Sequence, residues 1–287
     1  MTKKHNHYLD LAFHLAEKNL GRTKLNPTVG TVIVKNGSVI SSGVTSLQGR
    51  PHSEFNALNN LKNCRGATLY TTLEPCTHYG KTPPCTNIII KKKIKNVFYS
   101  FEDPDKRTFK KAKKILSQKG IKTKLIRSKK FSKFYKSYFT NKKLFIPYLT
   151  AKIAISKDYF TINKKEKWIT NKISRNKVHL LRSMHDCVLS TSKSINRDDS
   201  LLNCRINGLN NNKPDLFIID LKLNLRKKLS LKKYLQIRKT FLITNKNNIN
   251  KTLVYKKLGY KFIFINKLKD KNDFILLFKK IYKIGYS

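Results

Sequence analysis

Four side chains in the first third of the chain have the types and spacing of a hydrolytic metal centre: His52, Glu54, Cys76 and Cys85. They stand within P-H-S-E at 51–54 and E-P-C-T-H-Y-G-K-T-P-P-C at 74–85. Zinc takes a tetrahedron of nitrogen and thiolate donors, and a catalytic site leaves its fourth position to water. His52, Cys76 and Cys85 supply three donors and leave that position open. Bound zinc lowers the pKa of its water from 15.7 to about 7, so hydroxide is available at neutral pH. Glu54, two residues past His52 at the start of the same expected helix, can reach that water without ligating the metal, as a proton carrier must. An isolated H-x-E carries little information, and two cysteines nine positions apart are often unrelated. Their combination on a strand–helix background is far rarer.

The elements that must position these residues are legible as alternating patterns. Leu9, Ala12, Phe13, Ala16 and Leu20 share one helical face, and Gly21 supplies the stop. The run from Thr28 to Val44 reads as two strands joined at Asn36-Gly37, a two-residue hairpin. After Pro51 a short helix carries Glu54, with Phe55, Leu58 and Leu61 expected to face inward. A-T-L-Y-T-T-L reads as a strand, T-N-I-I-I-K-K-K-I as a helix and N-V-F-Y-S-F as a strand. R-T-F-K-K-A-K-K-I-L-S-Q-K-G follows as a basic helix ending at Gly120, and I-K-T-K-L-I as a further strand. This alternation predicts a layered α/β domain over 1–145. A second domain over 146–287 begins with Y-L-T-A-K-I-A-I-S as a strand. A helix capped by Thr170 comes next, then D-C-V-L-S-T, D-L-F-I-I-D-L, K-T-F-L-I-T-N and K-F-I-F-I-N as strands, and a last helix.

The net charge is +46 across 287 residues. A charge of that size would favour nucleic acid or an anionic membrane. Its lysines are spread along the whole chain beside abundant Asn and Ile, which A/T-rich codons explain without any partner, so nucleic acid is not expected. No apolar run approaches the roughly 20 residues of a membrane span. The charged, amphipathic N-terminus does not read as a secretory signal, which makes a cytoplasmic location the expectation. Five cysteines, an odd number, read as metal ligands and core thiols rather than a disulfide framework.

The spacing differs from the H-x-E…P-C-x-x-C signature of zinc deaminases, with eight residues between the cysteines in place of two. L-N-P-T-V-G at 25–30, H-S-E at 52–54, the Gly- and Pro-containing insertion at 74–85 and E-D-P-D at 102–105 resemble the bifunctional riboflavin-biosynthesis deaminase–reductases. The resemblance implies a cytidine-deaminase-like three-layer domain followed by a dihydrofolate-reductase-like α/β domain. It implies as substrate the phosphoribosylated diaminopyrimidinone of riboflavin synthesis, deaminated to the corresponding aminouracil. By motif position Asn26, His78, Lys81 and Asp103 would hold that small molecule, Lys81 through its phosphate. Without the motif, Asn26 and Asp103 read as turn residues before Pro27 and Pro104.

The second half resembles the family's reductase domain through K-W-I-T, V-H-L-L-R and S-I-N-R-D-D-S-L-L-N-C-R. The resemblance implies NADPH as reductant, with Trp168, Ser194 and Asp198 contacting the nucleotide and Arg182, Leu202 and Arg205 the substrate. Two arginines suit a phosphate, whose oxygens match their donor forks. Without the resemblance, Arg182 is a helix-surface charge and Trp168 a core aromatic. Tyr159 and Glu166 stand where the family usually has Gly and Ser, and are expected to obstruct a cofactor or phosphate pocket. The chain stops at I-G-Y-S, where the family begins another strand, so a truncated reductase domain with an incomplete cofactor site is expected. Two further readings are an RNA-base deaminase drawn on by the charge, and a deaminase with a non-catalytic, possible homo-oligomer-forming scaffold as its second half.

Overall fold

Alternate residues of strand β1 (Gly30–Lys35) face opposite layers, and from that alternation the first half of the molecule is built. The structure, a computed structural model, describes residues 2–161, 168–209 and 214–287. Val32 and Val34 pack with Tyr8, Leu9 and Ala12 of helix α1 (Thr2–Glu17). Ile33, between them, points the other way. It packs with Ala57 and Leu58 of α2 (Ser53–Leu58), Ile89 of α3 (Cys85–Lys91) and Leu116 of α4 (Lys111–Ser117). Strand β1 pairs antiparallel with β2 (Ser38–Val44) and with β3 (Thr68–Leu73). Strand β3 then pairs in parallel with β4 (Asn96–Phe101), and β4 with β5 (Lys122–Leu125). The resulting order is β2-β1-β3-β4-β5, a sheet between two helical layers in a unit of residues 1–145. Asn36 and Gly37 take φ of 51° and 82°, the left-handed pair that a two-residue hairpin needs. Helix α5 (Lys136–Leu144) adds Tyr138, and the residue before it, Tyr135, to an aromatic cluster with Phe13 and Phe131.

The second unit, residues 146–286, holds an all-parallel sheet of order β6-β7-β8-β9. Its strands are Cys187–Thr191, Asp215–Ile219, Thr240–Asn245 and Lys261–Ile265. Their near-continuous Val, Ile, Leu and Phe content suits strands covered on both faces. Ile195 of α7 (Ser192–Asp198) and Tyr255 of α8 (Thr252–Lys257) pack with Leu216, Ile218 and Leu242. Leu277 and Ile281 of α9 (Lys271–Lys283) pack with Phe217, Phe241 and Ile243. Helix α6 (Lys172–Ser183) precedes β6. Among the described residues no helix is long and apolar enough to cross a membrane.

Three local expectations are corrected. Residues 148–156 form no strand: among the described residues they join no sheet ladder, and Leu149, Ile153 and Ile155 stay exposed. A β-prone run becomes a strand only where another strand accepts its ladder. The cap of α6 is Asn171, whose side chain accepts the Ser174 amide, and not Thr170. Phe55 is exposed, because a six-residue helix turns only Ser53, Glu54, Ala57 and Leu58 inward.

Candidate active site

Helix α2 brings Glu54 to the sheet because β2 has no side chain in the way. A Cβ on Gly43 would sit 2.3 Å from the Ser53 carbonyl oxygen and 2.5 Å from the Ala57 nitrogen. The helix is then tied to β2 by Ser41 Oγ donating to the Ala57 carbonyl (2.7 Å) and Asn56 Nδ2 donating to the Val44 carbonyl (2.7 Å). His52 precedes the helix in extended conformation and directs Nδ1 at two sulfurs, 3.5 Å from Cys76 Sγ and 3.4 Å from Cys85 Sγ. Cys85 opens α3, and its amide donates to Cys76 Sγ at 3.2 Å. An unpaired amide at a helix start is a natural partner for a thiolate.

These three donor atoms lie within 4.8 Å of one another. A tetrahedron with zinc–nitrogen bonds near 2.0 Å and zinc–sulfur bonds near 2.3 Å has nitrogen–sulfur edges of about 3.5 Å. The separations of 3.5 and 3.4 Å match such edges, so one imidazole and two thiols fit a zinc ion in both chemistry and size. The hydrogen bond from the Cys85 thiol, and next that of His52 against the effect of burial, hold the Cys76 thiol below its usual range. The shared proton in turn pushes Cys85 well up, with burial adding to it. Burial alone would lower the His52 pKa, yet the Cys76 sulfur and the Glu54 charge bring it above its usual value.

Glu54 is buried, and its Oε2 accepts from Ser53 Oγ at 3.1 Å. Burial, and then the nearby Cys76 charge, push its pKa above the usual carboxylate range. That is the direction a group needs if it is to hold a proton and release it near neutrality.

His52, Glu54 and Cys76 line a cavity of about 100 Å³ together with Asn26, His78 and Asp103. Asn26 Nδ2 donates to the Gly49 carbonyl at 2.9 Å. Gly49 has a φ of 90°, and a Cβ there would meet Asn26 Nδ2 at 2.6 Å, so only glycine lets the two approach. His78 Nδ1 lies 3.1 Å from Thr108 Oγ1. Asp103 is buried, and its Oδ1 accepts from Tyr138 Oη (3.0 Å) and the Asp105 amide (2.9 Å). Burial raises its pKa, against the effect of those bonds. Lys81 is exposed and outside the lining, within the turn in which the Gly80 amide donates to the Thr82 carbonyl.

Sequence reasoning missed Arg50, Glu74, Asp105, Arg107, Tyr138 and Lys142, which also line the cavity. Glu74 was visible within E-P-C. Its buried carboxylate accepts the amides of Asp103 (3.2 Å), Lys110 (3.1 Å) and Ala112 (3.1 Å), which fixes the loop carrying Asp103. Tyr138 and Lys142 come from α5, and no local motif marks them. Cys64 is a buried thiol apart from the donor set.

In the second unit, Arg182 Nη1 (3.3 Å to the carbonyl oxygen) and Arg205 Nη1 (2.7 Å to Oδ1) both donate to Asn203. Burial, and next Arg205, lower the Arg182 pKa. Leu202 has a φ of 51°, and its carbonyl accepts from Arg238 Nη1 at 3.1 Å. Trp168 is half exposed, with the Arg175 guanidinium 4.7 Å above its ring. The Ser194 amide caps onto Thr191 Oγ1 at 3.2 Å, and Asp198 pairs with Arg197 at 2.7 Å. Tyr159 has a φ of 65° and is 81% exposed. Glu166 lies outside the described residues.

A three-layer α/β unit with this donor set and a buried glutamate defines a zinc-deaminase type of protein. Residues 2–101 match the family model of the cytidine and deoxycytidylate deaminase zinc-binding region, and residues 147–270 that of the RibD C-terminal domain. The chain is 38% identical over 205 residues to the riboflavin biosynthesis protein RibD of Aquifex aeolicus (strain VF5), covering 69% of this chain and 57% of that one. It is 39% identical over 142 residues to the diaminohydroxyphosphoribosylamino-pyrimidine deaminase of Buchnera aphidicola subsp. Schizaphis graminum, covering 49% of this chain and 97% of that one. The solved structure of Acinetobacter baumannii RibD, form 2, superposes with a TM-score of 0.84 at 27% identity, over 99% of this chain and 78% of that one. The chain belongs to the RibD family of riboflavin-biosynthesis deaminase–reductases. It spans a little over half the length of the curated RibD relatives it matches.

Proposed function

We propose that the first unit hydrolyses the exocyclic amino group of a phosphoribosylated diaminopyrimidinone, giving the corresponding aminouracil and ammonia, as a step in riboflavin synthesis. The observation that carries this reading is one small cavity in which His52, Cys76, Glu54, Asn26, His78 and Asp103 meet. Zinc held by His52, Cys76 and Cys85 would supply a water acidic enough to attack at neutral pH. Glu54 would carry two protons in turn at its carboxylate, the first from the attacking water to the ring nitrogen and the second from the hydroxyl newly bonded to the ring carbon to the amine, so that the C–N bond breaks with neutral ammonia as the leaving group. Its buried position keeps it protonatable through both transfers. Asn26 and Asp103 offer fixed polar edges to the heterocycle, the first braced by Gly49 and the second by Tyr138 and Glu74. His78 closes the same wall.

For the second unit we propose reduction of the ribosyl group of that product to ribityl, with NADPH as the reductant. Family membership and the convergence of Arg182 and Arg205 on Asn203 support it. Ser194 and Asp198 are engaged by Thr191 and Arg197, and Trp168 by Arg175, so the nucleotide would have to exchange these contacts for its own.

The test is incubation of the zinc-loaded chain with the phosphoribosyl diaminopyrimidinone and NADPH, followed by mass spectrometry of the products. Replacement of an amino by an oxo group supports the first activity, and gain of two hydrogens on that product supports the second. Unchanged substrate in the presence of bound zinc refutes both.

A further inference from the structure

Three cations line the cavity: Arg50, Arg107 and Lys142. Two of them already share one counter-charge. Asp105 Oδ2 accepts from Arg107 Nη2 at 2.7 Å and from Lys142 Nζ at 3.1 Å, and its Oδ1 accepts from Arg107 Nε at 2.9 Å. Arg50 is different. Its hydrogen-bond partner is a neutral hydroxyl, Thr82 Oγ1, and among the described residues it makes no ion pair. That hydroxyl belongs to the loop between the two cysteines, so the bond holds the guanidinium at the cavity wall. A Cβ on Gly80 would come within 3.2 Å of Arg50 Nη2, which places the other arm of the fork against a residue with no side chain. Gly80 also lines the cavity. The half-buried guanidinium is therefore aimed, anchored at one nitrogen and left without a counter-charge.

We infer that Arg50 binds the phosphate monoester of the substrate in the first unit, the task that the motif alone would give to Lys81. This rests on the reading of that unit as a deaminase of a phosphorylated nucleotide and names the group that recognises its anionic end. A planar fork with donors still available matches phosphate oxygens better than a solvated ammonium outside the lining. Arg107 and Lys142 with Asp105 leave a single residual positive charge in the same lining, which supports the same anion.

The probe is ribose 5-phosphate, titrated onto the full zinc-loaded chain. Amide hydrogen exchange of segments 46–54 and 78–85 reports on the first unit alone. In the wild type these segments gain protection, and the midpoint of the titration gives an affinity. Arg50→Met raises that midpoint by about tenfold or more, the loss expected for one charge-assisted contact. Arg50→Lys recovers part of it, Lys81→Met stays within about twofold, and ribose without phosphate protects none of the three variants. Equal midpoints for Arg50→Met and wild type, with zinc content and far-ultraviolet spectrum unchanged, overturn the assignment. So does a loss confined to Lys81→Met, or a wild type that gains no protection. Failure of the wild type to deaminate the diaminopyrimidinone would refute the proposed function and leave the ribose 5-phosphate result standing.

Discussion

Removing the Glu74 carboxylate strips three amides of their acceptor at once, and the cost follows from where those amides lie. Asp103 and Ala112 are buried, while Lys110 is at the surface and water can reach its amide. Each buried donor left unpaired costs about 1–3 kcal/mol, so two of them in Glu74→Ala amount to roughly 2–6 kcal/mol. In Glu74→Gln the amide oxygen can take over the Asp103 and Lys110 bonds that Oε2 makes. The new NH₂ then faces the Ala112 amide donor to donor. One bond is lost instead of three, and about 1–3 kcal/mol is expected. For a unit of this size, 1 kcal/mol moves the melting temperature by about 2–4 °C. Glu74→Ala should therefore fall by roughly 10 °C and Glu74→Gln by about half of that. Scanning calorimetry of the full chain, with and without added zinc, makes the measurement. Metal binds the folded first unit, so the transition that rises with zinc belongs to it. A Glu74→Ala chain whose zinc-responsive transition stays within about 2 °C of wild type would refute the bracing role. Retention of order across 103–112 by hydrogen exchange would refute it as well.

Glu54→Gln keeps the shape of the side chain but cannot carry a proton. Deamination should drop by about 10²–10⁴-fold while one zinc per chain is retained, checked by turnover and metal analysis on the same sample. Gly49→Ala forces an L side chain into a φ of 90° and against Asn26. Roughly 1–3 kcal/mol of backbone strain, together with displacement of Asn26, should lower the zinc-responsive melting temperature and raise the substrate KM. Asp105 is held below the usual carboxylate range, first by its hydrogen bonds to Arg107. Its contribution to stability is thus full above the unfolded pKa of about 3.9 and lost as pH falls through the lower folded value. Acid unfolding of Asp105→Asn should run below wild type above about pH 5 and converge with it in stronger acid. A constant gap down to the lowest pH would contradict the pairing with Arg107 and Lys142.

Much of the first unit was legible because its information is local. The Asn36-Gly37 hairpin, the apolar face of α1 and the strand–helix alternation each need only neighbours in sequence. The metal donors were legible too, since zinc dictates a donor set that few other pressures produce, and helix starts at 53 and 85 put two donors beside it. In the second unit the buried parallel strands announced themselves by composition. Residues 148–156 look equally β-prone, yet a ladder depends on a partner, which no pattern within the segment encodes.

The sequence by itself determined the candidate metal donor set, the place of Glu54 beside it and the alternation of strands and helices, because these depend on residue type and short-range spacing. Only the tertiary structure decided what surrounds that chemistry. It left Lys81 exposed outside the lining and set Arg50 beside Gly80. It brought Tyr138 and Lys142 to the cavity from a helix more than 30 residues beyond Asp103, and spent the Glu74 carboxylate on three backbone amides. Charge and hydrogen-bonding capacity belong to a side chain, but whether they are free for a ligand depends on which neighbours the fold has already given it.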